Sequence, residues 1–275
     1  MKELALETEI RGRYIIYASP HFRQRGFLLA FTTRIWLQDS GPSFCNFGYY
    51  GKGGAELHRK ELCEALGLSP RRLTTPYQTH SSGVFTVAKK DAGRGGLDPD
   101  TRIPETDSLV TNIEDTPLMV LAADCVPALF LHERTGAIGA AHAGWKGILG
   151  GIMENTVNAF RENLGADAGE IKAVLGPSIG PCCYRVGEDV ASRLPESDGG
   201  ALVKKNGQHF IDLRAWCGLR LSSAGMSGKN VFFANMCTSC MKHLFYSYRA
   251  DKAHRGANAA MIAKLKKQPK GDAPP

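Results

Sequence analysis

Two histidines and one cysteine stand at the ends of strands predicted from the sequence, and their side chains are suited to bind a metal ion. His80 lies in QTHSSGV, Cys125 in AADCVPALF and His142 in AAHAGWKG. Polar side chains among small or apolar residues cost free energy unless they have hydrogen-bond or metal partners. Three of them at strand ends therefore indicate a functional site. Imidazole nitrogen and thiolate sulfur bind zinc, and three protein ligands leave a fourth position open, as in catalytic zinc sites. These three residues are the candidate ligands of such a centre.

The spacing of the three residues leaves other interpretations open. They are 45 and 17 positions apart, which matches no local zinc-finger pattern. Taken singly, each histidine also fits a hydrogen-bonded structural residue, and Cys125 fits a small buried apolar residue. A hydrolase that uses cysteine and histidine without a metal is the main competing chemistry. Asp124, next to Cys125, is a candidate to shuttle a proton or to orient a ligating histidine, and a purely structural role fits it equally well.

The residues after His142 form a glycine-rich turn before a predicted helix. Gly144 and Gly147 surround Trp145 and Lys146. Such a turn, with a lysine at the start of a helix, can receive an anion such as phosphate. The same pattern also fits a tight turn with Trp145 packed in the core.

Four further cysteines form two short motifs. Cys237 and Cys240 form a C-x-x-C motif, which is typical of redox pairs and of one half of a zinc site. The sequence has no second C-x-x-C, and the adjacent residues Cys182 and Cys183 would complete a site only in an unusual way. The favoured interpretation is that these are reduced structural thiols.

Composition and charge exclude several classes of protein. The chain has 275 residues, of which 43% are hydrophobic, so it can bury a sizeable core and is not disordered. Its net charge is +7, but residues 264–275, rich in lysine and proline, contribute +3 of this. The remaining chain has no dense basic run with interleaved aromatic residues, so we expect no nucleic-acid partner.

The sequence also bears on location. The first ten residues, MKELALETEI, lack the basic start and apolar core of an export signal, and no apolar stretch is long enough to span a membrane. Eight cysteines without an evenly spaced framework indicate reduced thiols. We therefore expect a cytoplasmic protein with no membrane partner. A monomer is expected, although the sequence does not determine the oligomeric state.

The pattern of apolar residues predicts alternating strands and helices without a long linker. The predicted strands cover residues 27–34, 84–88, 108–111, 118–122, 128–131, 138–143, 171–175, 231–234 and 245–248. The predicted helices cover residues 56–66, 150–164, 187–194 and 213–224. Residues 39–54 are predicted to be a loop. We expect one compact α/β (α+β) domain of mixed β-sheets over residues 1–263, and a basic, proline-rich, disordered tail over residues 264–275.

Several of these motifs together resemble the YfiH family, which carries the label of laccase-domain or multicopper polyphenol oxidoreductase. The matching segments cover nearly the whole chain in the family's order: FTTR at 31–34, NFG at 46–48, QTH at 78–80, ETDSLVT at 105–111, ADC at 123–125, AHAGWKG at 141–147, GPSIGPCCYRVG at 176–187 and SYR at 247–249. The resemblance implies a YfiH-like fold in which mixed sheets are enclosed by helices.

The resemblance also implies an activity and a ligand set. The family's metal ligands fall on His80, Cys125 and His142, with zinc as the expected ion and copper as the alternative. The implied activities are purine nucleoside phosphorolysis, with adenosine, inosine, guanosine and methylthioadenosine as substrates, and deamination of adenosine. Some members are instead credited with editing peptidoglycan precursors, which would fit a cysteine–histidine amidase. The implied partners are purine nucleosides and phosphate.

Other residues in the matching motifs suit the substrates. Phosphorolysis needs a cation near the ribose to hold phosphate, and the candidates in order are Arg34, Arg59 and Lys146. Asn46 is a candidate to hydrogen-bond the ribose or the base. Arg34 joins Asp124 and Cys125 as a candidate catalytic residue.

A copper-dependent polyphenol oxidoreductase remains an alternative reading of the family label. Such enzymes normally hold several coppers through H-x-H pairs. This sequence contains no H-x-H. The sequence therefore favours zinc-dependent nucleoside chemistry over copper oxidation.

Overall fold

The computed structural model describes residues 1–49, 54–252 and 256–266. Within these ranges the strands are β1 Lys2–Glu3, β2 Glu7–Arg11, β3 Tyr14–Ala18, β4 Phe27–Gln38, β5 Gly41–Phe44, β6 Val84–Thr86, β7 Ser108–Thr111, β8 Leu118–Ala122, β9 Val126–His132, β10 Ala137–Ala143, β11 Lys172–Leu175, β12 Arg185–Val186, β13 Leu202–Lys205, β14 Gln208–Ile211, β15 Val231–Phe233 and β16 Asn258–Lys264. The helices are α1 Pro20–Arg23, α2 Ala55–Ala65, α3 Trp145–Leu149, α4 Ile152–Leu164, α5 Glu188–Ala191, α6 Leu213–Ser223 and α7 Tyr248–Asp251.

The strands form two large sheets and one small one. The seven-stranded sheet has the order β1-β15-β11-β9-β10-β7-β6, and the six-stranded sheet has the order β2-β3-β4-β16-β8, with β5 paired to β4. The strand pairs of the six-stranded sheet are antiparallel. The seven-stranded sheet is mixed: β1 and β15, β11 and β15, and β6 and β7 pair in parallel, and the other three pairs are antiparallel. The small sheet has the order β12-β14-β13.

The two large sheets pack face to face because their central strands are apolar on both sides. In β9, Leu129 and Leu131 pack in the cluster shared with the six-stranded sheet, whereas Ala128 and Phe130 face the other side. The apolar side chains of strand β4 likewise alternate between the shared cluster and the opposite face of its sheet. Successive side chains of a strand point to opposite faces, so such runs indicate strands that are buried between layers.

Helices cover the outer faces of the two sheets. Helix α2 packs on the six-stranded sheet through Leu62 and Cys63, while α4 and α6 pack on the seven-stranded sheet through residues such as Phe160 and Trp216. The result is four layers, with helices outside and sheets inside. This confirms the predicted mixed α/β fold.

Most of the predicted central strands and helices are present, but several of their bounds differ and some smaller elements are wrong. Strands β7 and β8 have the predicted bounds, and α2, α4 and α6 differ from the prediction by one or two residues at an end. The strand predicted at residues 245–248 is wrong: Phe245 and Tyr246 are buried outside any strand, and Tyr248 begins α7. The loop predicted at residues 39–54 contains β5. The helix predicted at residues 187–194 is limited to α5.

The start of the predicted tail also needs correction. Lys264 pairs with Phe27 as the last residue of β16, and the Leu265 amide donates to the Gly26 carbonyl. The rest of the predicted tail, from residue 267, lies outside the described residues. Among the described residues, no helix has both the length and the apolar character needed to cross a membrane.

The packing between the sheets predicts the effect of shortening a core side chain. Leu129 is fully buried between them, whereas Leu57 on α2 is 48% exposed. We expect Leu129→Ala to lower the free energy of unfolding by about 2–5 kcal/mol, because it leaves a cavity between rigid sheets. Leu57→Ala should change it by less than about 0.5 kcal/mol. Urea unfolding of both variants measures the difference, and equal midpoints would contradict the buried position of Leu129.

Candidate metal centre

Three separate parts of the chain bring His80, Cys125 and His142 together. Cys125 lies in the turn between β8 and β9, and His142 lies near the end of β10, opposite Pro127 of β9. Because β9 and β10 are antiparallel, the start of one and the end of the other meet at the same edge of the sheet. His80 reaches this edge from the loop that precedes β6.

The donor atoms of these residues form a compact group. One donor atom from each of the three residues lies within 4.8 Å of the other two. Cys125 Sγ is 3.8 Å from His80 Nε2, and the two imidazole rings stand edge-on with their centroids 4.8 Å apart. His142 is buried and Cys125 is half-buried, while His80 is exposed. The group is therefore accessible from the side of His80.

A buried carboxylate orients both histidines. Asp107 is fully buried, and its Oδ1 lies 2.8 Å from His142 Nδ1. Its oxygens also accept hydrogen bonds from the backbone amides of Thr79, His80 and Ser81, at 2.8–3.1 Å, and from the Ser81 hydroxyl at 2.8 Å. Because Nδ1 of His142 donates its proton to Asp107, the other ring nitrogen, Nε2, is the one available to bind a metal ion.

Asp124, for which the sequence leaves a proton-shuttling, an orienting and a structural role open, has different partners. Asp124 bonds instead to Thr238 Oγ1 and to the backbone amide of Arg249, each at 2.7 Å. These two bonds hold Asp124 in a left-handed backbone conformation with φ of 91°, which turns the chain from β8 into β9. Its carboxylate therefore fixes the turn that carries Cys125. Asp107 lay within the quoted ETDSLVT motif, but its partners are mostly backbone amides, which a sequence does not reveal.

The close approach of the three side chains depends on a glycine. A Cβ atom added to Gly144 would lie 2.9 Å from His80 Cδ2 and 3.0 Å from Cys125 Sγ. The first contact is too short for a Cβ atom and the second is very tight, so at least one of the two side chains would have to move. The glycine of the HAGW motif therefore leaves the space that the donor group fills.

The charges of the group are strongly coupled. Burial raises the pKa of the Cys125 thiol, but His142 and His80 outweigh this and lower the pKa to about 6. Burial lowers the pKa of His142, but Cys125 and Asp107 raise it to about 10. For Asp107, burial raises the pKa, and the hydrogen bonds from His142 and Ser81 bring it below the usual value. Above pH 6 this electrostatic balance favours the Cys125 thiolate, which is the form that binds metals and attacks carbonyl groups.

Arg34, the first candidate for phosphate, is held by other parts of the protein. Its guanidinium lies between the rings of Phe44 and Tyr246, with centroids 4.2 and 4.1 Å away. It also pairs with Asp251 at 3.1 Å and donates to the Lys242 carbonyl. These contacts tie β4 to α7 and to the segment before it, and the catalytic role of Arg34 stays a prediction.

Arg59, the second candidate, is buried and bound by backbone carbonyl groups. It is 1% exposed, and its guanidinium donates to the carbonyl oxygens of Phe47, Gly95 and Gly96 at 2.8–3.0 Å. The Tyr49 ring lies 4.1 Å from the guanidinium carbon. Burial lowers the pKa of this group to about 10, so it remains charged at neutral pH. Arg59 therefore ties α2 to two loops, and its predicted contact with substrate stays a prediction.

The remaining two candidates differ from each other. The Asn46 side-chain oxygen accepts from the backbone amides of Gly48 and Ala257, both at 2.9 Å, so these bonds fix a loop to the segment before β16. The predicted hydrogen bond from Asn46 to the ribose or base stays a prediction. Lys146 is exposed on α3, four residues after His142. Arg34 and Arg59 are buried, so Lys146 is the predicted cation that is exposed to contact a substrate.

The fold and the site together define a class of protein: a two-sheet α/β protein with a His–Cys–His donor group at one sheet edge. Residues 53–264 match the family model of the multi-copper polyphenol oxidoreductase laccase. The chain belongs to this family, and the resemblance to YfiH proteins is confirmed.

Relatives and solved structures support the same conclusion. The chain is 32% identical over 267 residues to a protein of Geobacillus stearothermophilus named purine nucleoside phosphorylase YlmD, covering 94% of this chain and 96% of that protein. The crystal structure of YlmD from the same organism superposes with a TM-score of 0.86 at 30% identity, covering 95% and 99% of the two chains. The hypothetical protein YfiH of Bacillus licheniformis gives 0.84 at 26% identity, covering 94% and 99%. These relationships place the chain in an enzyme family.

The contacts of Arg59 predict a loss of stability on its removal. Arg59→Met removes the donor of the buried Phe47 carbonyl and one of the two donors of the Gly95 and Gly96 carbonyls, so we expect the free energy of unfolding to fall by about 1–3 kcal/mol. The control, Arg161→Met at an exposed position of α4, should change it by less than about 0.5 kcal/mol. Thermal and urea unfolding measure both. A stable Arg59→Met variant with a raised KM for phosphate would contradict this and assign Arg59 to the substrate.

Proposed function

We propose that this protein is a zinc-dependent purine nucleoside phosphorylase that acts at the His80–Cys125–His142 centre and also deaminates adenosine. The observation that carries the proposal is the compact donor group, in which one histidine is oriented by a buried carboxylate. The substrate class rests on relatives that are named purine nucleoside phosphorylase, including YlmD of Geobacillus stearothermophilus.

The donor group fits one zinc ion. Two imidazole nitrogens and one thiolate are zinc ligands, and the exposed side at His80 leaves room for a fourth ligand. The hydrogen bond from His142 to Asp107 is the support that metal-binding histidines usually have. Zinc bound there would supply Lewis-acid polarisation of water or of a substrate group. The absence of H-x-H pairs from the sequence argues against a centre with several coppers.

The protein's own residues prepare this site. Asp107 fixes the tautomer of His142 and, through three backbone amides, the position of the His80 loop. Lys146 is the cation we assign to phosphate, since Arg34 and Arg59 are held by structural contacts. A Lys146→Gln variant with an unchanged KM for phosphate would contradict that assignment.

The two proposed reactions differ in what they consume. In phosphorolysis, a phosphate oxygen bonds to C1′ of the ribose and the bond from C1′ to the purine nitrogen breaks. The electron pair leaves with the purine, which takes up a proton, and ribose 1-phosphate forms. In deamination, water adds to the purine carbon that bears the amino group, and ammonia leaves. Only the first reaction needs phosphate.

One observation favours a second candidate function. Asp107, His142 and Cys125 form a carboxylate–imidazole–thiolate series, which is the order of groups in cysteine hydrolases. An amidase that edits peptidoglycan precursors would use this series without a metal. Zinc dependence separates the two candidates, because a bound ion would occupy the thiolate.

The main test measures products and metal together. Metal-analysed protein is incubated with adenosine, with and without phosphate, and adenine, inosine and hypoxanthine are followed by chromatography. We expect adenine only with phosphate and inosine in both cases. Both products should disappear after chelation, return with zinc and be absent from Cys125→Ala. Activity that survives chelation but not alkylation of Cys125 would favour the hydrolase, and zinc-loaded protein that forms none of the products would overturn the proposal.

The space at Gly144 gives a sharper test of the centre. We expect Gly144→Ala to raise the zinc concentration that restores half of the activity of chelated protein by about tenfold or more, because the added methyl group separates His80 from Cys125. Gly199→Ala is the matched control, since its Cβ would meet no atom within 4 Å. Equal zinc requirements for the two variants would show that the three side chains do not share an ion.

A further inference from the structure

Four cysteines outside the candidate centre form a second compact group. They are Cys182 and Cys183, before β12, and Cys237 and Cys240, in the segment after β15. One sulfur from each lies within 4.8 Å of the other three. Cys240 Sγ is 3.6 Å from Cys182 Sγ and 3.4 Å from Cys183 Sγ. The two sequence motifs that were interpreted as separate structural thiols are therefore one cluster.

The sulfur spacing matches a single tetrahedral ion. Four sulfurs bonded to zinc at about 2.3 Å stand about 3.8 Å apart. A disulfide would require about 2.05 Å, and the structure has all eight cysteines unbridged. A two-iron cluster would carry its cysteine pairs on two separate irons, whereas these four sulfurs all lie within 4.8 Å of one another.

We propose that Cys182, Cys183, Cys237 and Cys240 bind a second zinc ion as a closed tetrathiolate site. This inference stands on the second cluster alone and does not depend on the proposed enzymatic activity. Four protein ligands leave no open position, so the ion is structural and not catalytic.

The surroundings of the cluster suit its negative charge. The Gly180 amide donates to Cys237 Sγ at 3.2 Å, which supports the thiolate form. The Arg249 guanidinium lies against the same loop and donates to the carbonyl oxygens of Cys183 and Arg185, at 3.4 and 3.0 Å. Zinc with four thiolates carries two negative charges, and such sites depend on nearby N–H donors and cations.

The two loops that carry the cysteines also support the first centre. Thr238, inside the C-x-x-C motif, donates to the Asp124 carboxylate, and the Ile179 amide donates to the Asp124 carbonyl at 2.9 Å. The loops are joined to each other by backbone hydrogen bonds between Ser178 and the residues around Cys237. An ion that clamps the two loops would therefore hold the turn that positions Cys125.

The test counts metal ions in full-length protein. We expect about two zinc ions per chain in wild type, about one in Cys182→Ser/Cys240→Ser, about one in Cys125→Ala, and about none when these changes are combined. Cys182 and Cys240 are both exposed, so their replacement should leave the fold intact. Cys63→Ala, at a cysteine outside both groups, should keep about two.

Two further measurements separate metal binding from oxidation. Cobalt substitution should give a sulfur-to-cobalt charge-transfer absorption that falls strongly in Cys182→Ser/Cys240→Ser and only slightly in Cys125→Ala. Mass spectrometry of intact protein should show all eight cysteines reduced. The proposal would be overturned if wild-type protein purified under air had an intact mass lower by two hydrogens and if both wild type and Cys182→Ser/Cys240→Ser held one zinc ion. That result would assign the cluster to a disulfide.

Discussion

The candidate centre depends on one buried carboxylate. Asp107 lies in the interior, where an ion without partners would cost several kcal/mol. Its partners are the His142 ring and three successive amides of residues 79–81, so the charge is satisfied only while that loop stays against the edge of the sheet. The positions of both histidines therefore follow from the solvation of a single side chain. The turn with Cys125 is then held by a second aspartate, Asp124, through contacts of its own.

The sequence predicts the central strands well and the edges poorly, for a physical reason. Strands β8, β9 and β10 are buried on both faces and read as continuous apolar runs. Strand β2, with the sequence ETEIR, is largely exposed, and β13, with LVKK, is exposed or half-buried, so neither carries an apolar signal. Phe245 and Tyr246 gave a false strand signal, because aromatic residues are buried there by a loop that packs on β4 and β16.

Site residues, too, can be predicted from the sequence only where they differ from their sequence neighbours. His80, Cys125 and His142 stand out because they interrupt apolar or small surroundings, and the structure brings them together. The sequence shows no partners for Arg34 and Arg59. In the structure their partners are aromatic rings, carbonyl groups and one distant carboxylate, Asp251. The four-cysteine cluster joins segments more than fifty residues apart, and no local spacing rule covers a pair of adjacent cysteines.

The place of β16 in the six-stranded sheet has a consequence for how the protein is made. This strand pairs with β4 on one side and with β8 on the other, so it fills a gap between elements that are synthesised much earlier. Until residues 258–264 have left the ribosome, β4 and β8 each present an unpaired apolar edge, which is the kind of surface that chaperones bind and that drives aggregation. Completion of this sheet, and of the bond from Asn258 to Ala122 at the end of β8, therefore has to wait until long after β4 and β8 have been synthesised.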